Sequence, residues 1–394
     1  MSKLQVAAVA NMIDSRLIIL YGIGQLTIGG AERQLYELVT HIDANKYRPL
    51  VFTLSDGGHY LDLLRQHHVP VIELTRKTAY DPGPIWKIAQ ILRRENVQVL
   101  HTFGFYAGLY GRLATYLSRP PLVISSERAT HAWTKRLHNS TYFAIDRILA
   151  RRTDVFIANA EAVRQFAISE KGLPPERMVV VYNGIDSTRF NHIPANSLTA
   201  LNDKYGFLLG EPVIGIIARL DPIKDHQTFL QAAKDLLNYH PQAKFLIVGD
   251  GPLRTELEAM TDQLGIRSSV YFAGTQHGND LIQHMARMDV VVSTSKGEGC
   301  SNSVLEAMCM EKALVVTDVG GNPELVCSGE TGVIVPVADS CALTQAIATL
   351  LNNEEMRIRM GQNAREHVQR KFSISRMVAE TTQIYEQKVA SLPK

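Results

Sequence analysis

The run DVVVST (Asp289–Thr294) leads through Ser295 into KGEGCSNSVLEAMCM (Lys296–Met310). The first segment is apolar and β-branched, the pattern of a buried strand. A glycine-bracketed turn follows, Gly297-Glu298-Gly299. Ser301, Asn302 and Ser303 are all good N-cap residues, and Val304–Met310 reads as the first turns of a helix. A strand, a glycine turn and a helix start set Glu298 and Glu306 at the carboxyl edge of a sheet. In open α/β sheets that edge is where ligands bind, and the free N–H groups of a helix start suit an anion such as phosphate. Such a unit is also a common plain connection, and by itself it reads either way.

The flanking sequence repeats the pattern. Strand-like segments at Val213–Ala218, Lys244–Val248, Val270–Ala273, Ala313–Thr317 and Val333–Val335 alternate with helical periodicity. Upstream, a first series runs Leu17–Tyr21, Pro49–Leu54, Pro70–Leu74, Val97–His101, Leu122–Ser125, Val155–Ala158 and Met178–Tyr182. Alternation of this kind implies parallel sheets with helices on both faces. The turn Tyr182-Asn183-Gly184-Ile185-Asp186 closes the first series, and the polar stretch Ser187–Glu211 is expected to be a linker. A chain of 394 residues suits two domains rather than one core. The expected boundaries are 1–195 and 196–372, with the last helix, 373–394, crossing back onto the first domain and a cleft between the two.

Charge separates the halves. Residues 1–195 carry 23 Lys+Arg against 16 Asp+Glu, a net of +7, whereas residues 196–394 carry 18 against 23, a net of −5. Different partners for the two halves follow. Within the first half, His131–Arg152 interleaves Lys135, Arg136, Arg147, Arg151 and Arg152 with Trp133, Leu137, Tyr142, Phe143, Ile145 and Leu149. This is either a helix with one buried and one solvated face or a basic amphipathic helix lying on an anionic membrane. No nucleic-acid-binding motif accompanies it. No apolar run approaches a membrane span. The N-terminal MSKLQVAAVANMIDSR lacks the h-region of a signal peptide and reads as a short disordered or expression-related extension. Cys300, Cys309, Cys327 and Cys341 form no CxxC pair and have no His cluster beside them. Reduced, partly buried thiols of a cytoplasmic protein are expected, with neither zinc nor disulfides.

Two loops carry candidate chemistry besides the first. LIILY (Leu17–Tyr21) runs into a glycine-rich turn ending Gly29-Gly30-Ala31-Glu32, where backbone can approach a bulky or charged ligand. Arg219 and Lys224 follow the strand Val213–Ala218 in ARLDPIKDH. Two fixed cations beyond a strand end can clamp a diphosphate and stabilise charge on a departing phosphate. With Glu298 and Glu306 in the same domain they suggest a nucleotide-diphosphate site. One carboxylate would accept from ribose hydroxyls and the other from sugar hydroxyls.

These pieces together, ARL-x3-KD, VGDGP, EG-x2-N-x2-LEAM, VTDVGGNPELV, GGAERQL and VYNGID, resemble the retaining GT-B-fold glycosyltransferases of the "glycosyl transferases group 1" family, glycosyltransferase family 4. The resemblance runs from Ile18 to about Gln387. It implies an α/β GT-B fold, two Rossmann-like doubly wound domains facing a central cleft, with acceptor binding in the first and donor binding in the second. It implies that Glu298 contacts the donor sugar, Glu306 the ribose, and Arg219 and Lys224 the diphosphate. Gly299, Cys300, Ser301 and Asn302 would approach the donor through backbone groups, and Gly29 and Gly30 would face the phosphates and the acceptor. His101 matches a histidine near the reacting centre. Where many relatives carry a further histidine, this chain reads Ser125-Ser126-Glu127-Arg128. Glu127 and Arg128 therefore either read the acceptor or form a structural ion pair.

The activity so implied is a hexosyltransferase of class EC 2.4 in surface polysaccharide or glycoconjugate synthesis. The donor is a nucleotide-sugar, with UDP expected and GDP and ADP open. The acceptor is a saccharide or is lipid-linked. No Asp-x-Asp metal-binding motif is present, so the two cations would replace a divalent metal and no cofactor is expected. Retention follows from the resemblance alone, with front-face displacement as its preferred form. A cytoplasmic location is expected, with peripheral contact at the inner membrane face as its variant. The competing readings are a nucleotide-sugar epimerase or a phosphorylase of the same architecture, and a non-catalytic sugar-nucleotide binder. A phosphorylase would need a pyridoxal Schiff-base lysine, for which the sequence offers no context.

Overall fold

The computed structural model describes residues 16–78, 81–130, 139–191 and 195–391. Two sheets organise it. The first has seven strands: β1 (Leu17–Ile23), β2 (Tyr47–Thr53), β3 (Val71–Glu73), β4 (Val99–Phe103), β5 (Leu122–Glu127), β6 (Val155–Ala158) and β7 (Met178–Val180). Their order is β3-β2-β1-β4-β5-β6-β7. The second has six: β8 (Val213–Ile217), β9 (Lys244–Val248), β10 (Val270–Gly274), β11 (Val290–Ser293), β12 (Ala313–Thr317) and β13 (Val333–Val335), in the order β10-β9-β8-β11-β12-β13. Every pair in the second sheet is parallel, as are β1–β2, β1–β4, β2–β3 and β4–β5 in the first. The Rossmann-like α/β architecture expected from the alternation is present in both. Each strand lies where the apolar runs placed it, within a residue or two at the ends.

By packing, the chain forms two compact units. One comprises Met1–Ser126, Ile148–Phe156 and Val378–Lys394, and the other Glu127–Arg147 and Ile157–Met377. In the first, Leu20, Phe52, Leu100, Val123 and Tyr110 share a core. In the second, alternation along the strands builds a separate core on each face of the sheet. Val213, Val291, Leu314 and Val316 point to one face, against Val304, Leu305 and Met308 of a helix. Ile214, Ile216, Val290, Val292 and Val315 point to the other, against Phe229 and Leu230. This is period-2 placement with both faces covered. Each such buried aliphatic stabilises the fold by roughly 1.5–3 kcal/mol.

In both sheets the strand order reverses beside the first strand of the series, between β1 and β4 and between β8 and β11. Loops leaving two such neighbours diverge to opposite faces and leave a crevice at the carboxyl edge. The reversal at β8 and β11 puts the loop carrying Arg219 and Lys224 beside the loop carrying Glu298.

Two expectations need correcting. Ser187–Glu211 is not an open linker: it holds a 3-10 turn, Ser187–Phe190, and a helix, Ala195–Tyr205. Phe190, Leu201, Phe207 and Glu211 are buried, whereas Asp203 and Lys204 of the helix are exposed. The helix read as starting at Val304 starts at Asn302 and ends at Cys309. The basic segment falls partly outside the described residues, since 131–138 are not among them. Its remainder contains the helix Asn139–Ala150, with Phe143 and Leu149 buried and Ile148 59% exposed. The last helix is Ile374–Ala390. All four cysteines are free thiols, Cys300 and Cys309 buried and Cys341 exposed. Among the described residues no helix is long and apolar enough to cross a membrane.

Candidate functional site

The loop leaving β8 is shaped by its own aspartates. Asp221 caps the short 3-10 turn Pro222–Lys224 by accepting from the Ile223 N–H. Asp225 adopts a left-handed backbone conformation (φ 48°), which ends that turn and starts the helix His226–Leu236. Such a φ is uncommon outside glycine but tolerated by Asp. The loop leaving β11 docks directly on it. The Lys296 N–H donates to the Ile223 carbonyl at 2.7 Å, and Thr294 Oγ1 donates to the Lys224 carbonyl at 2.8 Å. Thr317 Oγ1 in turn donates to the Ser295 carbonyl at 2.7 Å.

The side chains then meet. The Lys224 ammonium forms an ion pair with Glu298 Oε1, and Ser295 Oγ donates to the same oxygen at 2.7 Å. The Lys224 side chain is 22% exposed and that of Glu298 11%, so water is largely excluded from the pair. Arg219 reaches Asp221 at 2.6 Å with its side chain 56% exposed. Lys296 pairs with buried Asp225 at 2.8 Å. Three cations and three carboxylates therefore compensate one another. A dianionic ligand entering here would find positive charge already fixed in direction, at the cost of sharing it with the resident carboxylates.

The segment after Glu298 is packed without slack. A Cβ on Gly299 would lie 2.8 Å from both the Arg128 carbonyl and Asn159 Oδ1. Gly320, at φ +54°, lies so close that a Cβ would be 2.0 Å from the Glu298 carbonyl. Cys300 is buried, and burial pushes its thiol up to about 12, so it remains protonated at neutral pH. Ser301 occupies the N-cap position but makes no side-chain cap bond, leaving the first N–H groups of Asn302–Cys309 without a side-chain acceptor from the cap. Asn302 Oδ1 and the Cys300 carbonyl both accept from Asn183 Nδ2, each at 2.8 Å. Glu306 is buried one turn further along the helix.

Of the remaining expected residues, Glu127 is one corner of a buried ion triad. Lys171 Nζ lies 2.6 Å from Glu127 and 3.3 Å from Asp146. Although burial opposes the ammonium, the two carboxylates hold its pKa above the ordinary lysine range. Arg128 donates to Asn183 Oδ1. In the other unit His101 is buried, with Nδ1 at 2.6 Å from the Tyr385 hydroxyl and Nε2 at 2.8 Å from Ser126 Oγ. Gly29 is the extended N-cap of the helix Gly30–His41. His101 and this loop lie on the adjacent strand β4 and just beyond β1, respectively.

Several residues of the arrangement were not singled out by the sequence. Asn183 reads only as a turn, and Ser295 as the end of a strand. Glu324 hides in the GGNPELV run, yet its carboxylate accepts from the N–H groups of Glu161 and Ala162 at 2.7 and 2.8 Å and from the Tyr182 hydroxyl at 2.8 Å. An acidic residue beside a conspicuous glycine pair is the one signal that could have flagged it. Among the described residues no group of three or more His, Cys, Asp or Glu side chains could hold a metal ion.

Comparison with known proteins follows the same division. Residues 28–189 match the family model described as Glycosyltransferase Family 4, and residues 199–367 that described as Glycosyl transferases group 1. The chain is similar to the N-acetyl-alpha-D-glucosaminyl L-malate synthase of Bacillus anthracis, 27% identical over 312 residues covering 78% of this chain and 79% of that one. It is also similar to the UDP-Gal:alpha-D-GlcNAc-diphosphoundecaprenol alpha-1,3-galactosyltransferase of Escherichia coli, 25% identical over 331 residues, 82% of this chain and 84% of the relative. Among solved structures, that of Anabaena Alr3699/HepE in complex with UDP-glucose superposes with a TM-score of 0.83 at 25% identity, covering 94% of this chain and 99% of that one.

Proposed function

Because the chain belongs to the glycosyl transferases group 1 family and is a GT-B-fold glycosyltransferase, we propose that it moves a sugar from a UDP-sugar to a saccharide or lipid-linked acceptor, with retention and without a metal ion. The observation that carries this reading is the junction of Lys224, Glu298 and Ser295 at the reversal point of the second sheet. It brings together a fixed cation, a carboxylate and a hydroxyl just ahead of a helix start, which supports a site for phosphate and sugar hydroxyls.

In this reading the donor diphosphate lies between Arg219, Lys224 and the first N–H groups of Asn302–Cys309. As the sugar departs, negative charge grows on the β-phosphate, and these groups are oriented to stabilise it without reorganising. Glu298 shifts part of its hydrogen bonding from Lys224 to sugar hydroxyls, which releases the ammonium toward phosphate. Glu306 accepts from the ribose. Gly299, Cys300, Ser301 and Asn302 present backbone rather than reactive side chains, consistent with a protonated Cys300. The Glu298 carboxylate is held by Lys224 and Ser295, and displacement from the donor's front face is the form we assign. Gly29 and Gly30 belong to the phosphate- and acceptor-facing loop of the first unit. His101 takes part only if Ser126 or Tyr385 releases one of its ring nitrogens. Glu127 and Arg128 are committed to Lys171 and Asn183, so we assign them to support rather than to reading the acceptor. We place the enzyme in the cytoplasm in polysaccharide or glycoconjugate synthesis, its basic first half meeting a lipid-linked acceptor at the inner membrane face. The Escherichia coli relative, whose name specifies a diphosphoundecaprenol-linked acceptor, supports that choice.

The test is turnover. The protein is incubated with a panel of UDP-sugars and undecaprenyl-diphosphate-linked or free saccharides in EDTA. UDP release and the anomeric coupling of the product are then read by NMR. Acceptor-dependent release with retained configuration is expected. Donor conversion without any acceptor would show an epimerase instead.

A further inference from the structure

Asn183 is buried, and its side-chain amide is used at both ends. Nδ2 donates to the Cys300 carbonyl and to Asn302 Oδ1, both at 2.8 Å, while Oδ1 accepts from Arg128. Only this orientation of the amide works. Turned over, it would set an N–H against the guanidinium and an oxygen against the Cys300 carbonyl. Arg128 therefore fixes the direction in which the amide points, and the amide fixes two points of the segment joining Glu298 to its helix.

Both ends of this connection are themselves held. The Arg128 backbone follows Glu127, which the buried Lys171–Asp146 group anchors. Gly184, next to Asn183, is pinned by its neighbours, since a Cβ there would lie 2.8 Å from the Ile374 Cα. Gly299 lies against Asn159 and the Arg128 carbonyl with no room for a side chain. The segment of residues 298–302 thus has one rigid support on this side, and Asn183 is a polar contact within it.

We infer that Asn183 is a positioning residue of the donor site, holding Cys300 and Asn302 so that Glu298 and the helix start meet a nucleoside-diphosphate sugar in the right geometry, with Arg128 acting through it. This rests on the donor site proposed above. It deepens that site by assigning a residue 119 positions away in sequence from Asn302.

The Asn183→Asp variant isolates the role. It is isosteric, and its carboxylate pairs with Arg128 at least as well as the amide oxygen does. It cannot donate to the Cys300 carbonyl or to Asn302. Binding of UDP by calorimetry is expected to weaken roughly 10-fold or more, the strength of at least one buried hydrogen bond, and the melting temperature to fall by a few degrees because two buried acceptors then face a carboxylate, while the acceptor KM stays as in the wild type. Arg128→Met, which frees the amide to turn, is expected to weaken UDP binding in the same direction, and Arg128→Lys to restore part of it. This second pair decides the matter if Asn183→Asp does not fold. Wild-type UDP affinity in folded Asn183→Asp, or in Arg128→Met, overturns the inference while leaving the donor site intact. A wild-type protein that binds no nucleoside diphosphate overturns both.

Discussion

Replacing Lys224 with alanine should separate two roles that this lysine holds at once. In the unliganded protein it compensates Glu298, whose side chain is only 11% exposed. Removing one partner of a fully buried ion pair costs roughly 3–5 kcal/mol. Here Lys224 is about a fifth exposed, and Ser295 still donates to the carboxylate, so water and one hydrogen bond soften the loss to about 2 kcal/mol. Such a change lowers the melting temperature by a few degrees. Toward the donor the loss is that of a charge-assisted hydrogen bond to phosphate, about 1.5–3 kcal/mol, or roughly 10- to 150-fold in Kd for UDP. Turnover should fall further, by about 10²–10³, because charge on the leaving phosphate grows in the transition state. The paired variant Lys224→Met with Glu298→Gln removes both charges. It should recover the wild-type melting temperature and still bind UDP poorly. Calorimetry with UDP and thermal melts of the three proteins decide the matter. A Lys224→Ala protein that binds UDP as tightly as the wild type would refute the phosphate assignment, even if its stability fell as expected.

Further consequences follow from particular contacts. Burial, aided by Lys224, pushes the His226 imidazole down to about 4, and neither ring nitrogen has a hydrogen-bond partner. Its unfolded value is ordinary, so the unfolded chain binds the proton first as pH falls. Stability is complete above about pH 6.5 and is lost progressively toward pH 4, by about 3 kcal/mol in total. The urea midpoint between pH 7.5 and 4.5 should therefore shift less in His226→Leu than in the wild type. Gly320→Ala forces a side chain into a left-handed backbone conformation and against the Glu298 carbonyl. UDP binding should weaken at least about 10-fold if relieving the clash displaces Glu298 and costs the strength of a single hydrogen bond or more. An unchanged Kd would show that the turn tolerates displacement. Lys171→Met leaves Glu127 and Asp146 buried without their cation and should cost roughly 3–5 kcal/mol. Adding Glu127→Gln and Asp146→Asn should return most of it, as read from denaturant unfolding.

What the sequence revealed and what it concealed divide along a physical line. Strands were legible because DVVVST, LIILY and their counterparts are β-branched runs whose burial on both faces leaves a mark at every position. The carboxyl-edge placement of Arg219, Lys224, Glu298 and Glu306 followed from strand–turn–helix order alone. Pairing was not legible. Glu298 and Lys224 read as separate ligands for sugar and phosphate, yet in the structure they bind each other across 74 positions. His101 matches a histidine near the reacting centre, yet in the structure the hydroxyl of Tyr385, 284 positions away, lies on its Nδ1. Glu127 reads equally as an acceptor contact or an ion pair, and in the structure Lys171 is its partner. Ser187–Glu211 reads as a linker because a helix that buries only Leu201 of its described side chains shows a mostly polar sequence. Local periodicity encodes elements, whereas side-chain partnerships depend on how distant elements meet.

The most direct test of the central claim is a calorimetric titration of the wild-type protein with UDP in EDTA, repeated after magnesium is restored. The account predicts saturable binding of one UDP in EDTA with an affinity that magnesium leaves unchanged, since Arg219, Lys224 and the helix start at Asn302 already supply the positive field. Binding that appears only with magnesium, or no binding under either condition, would contradict it.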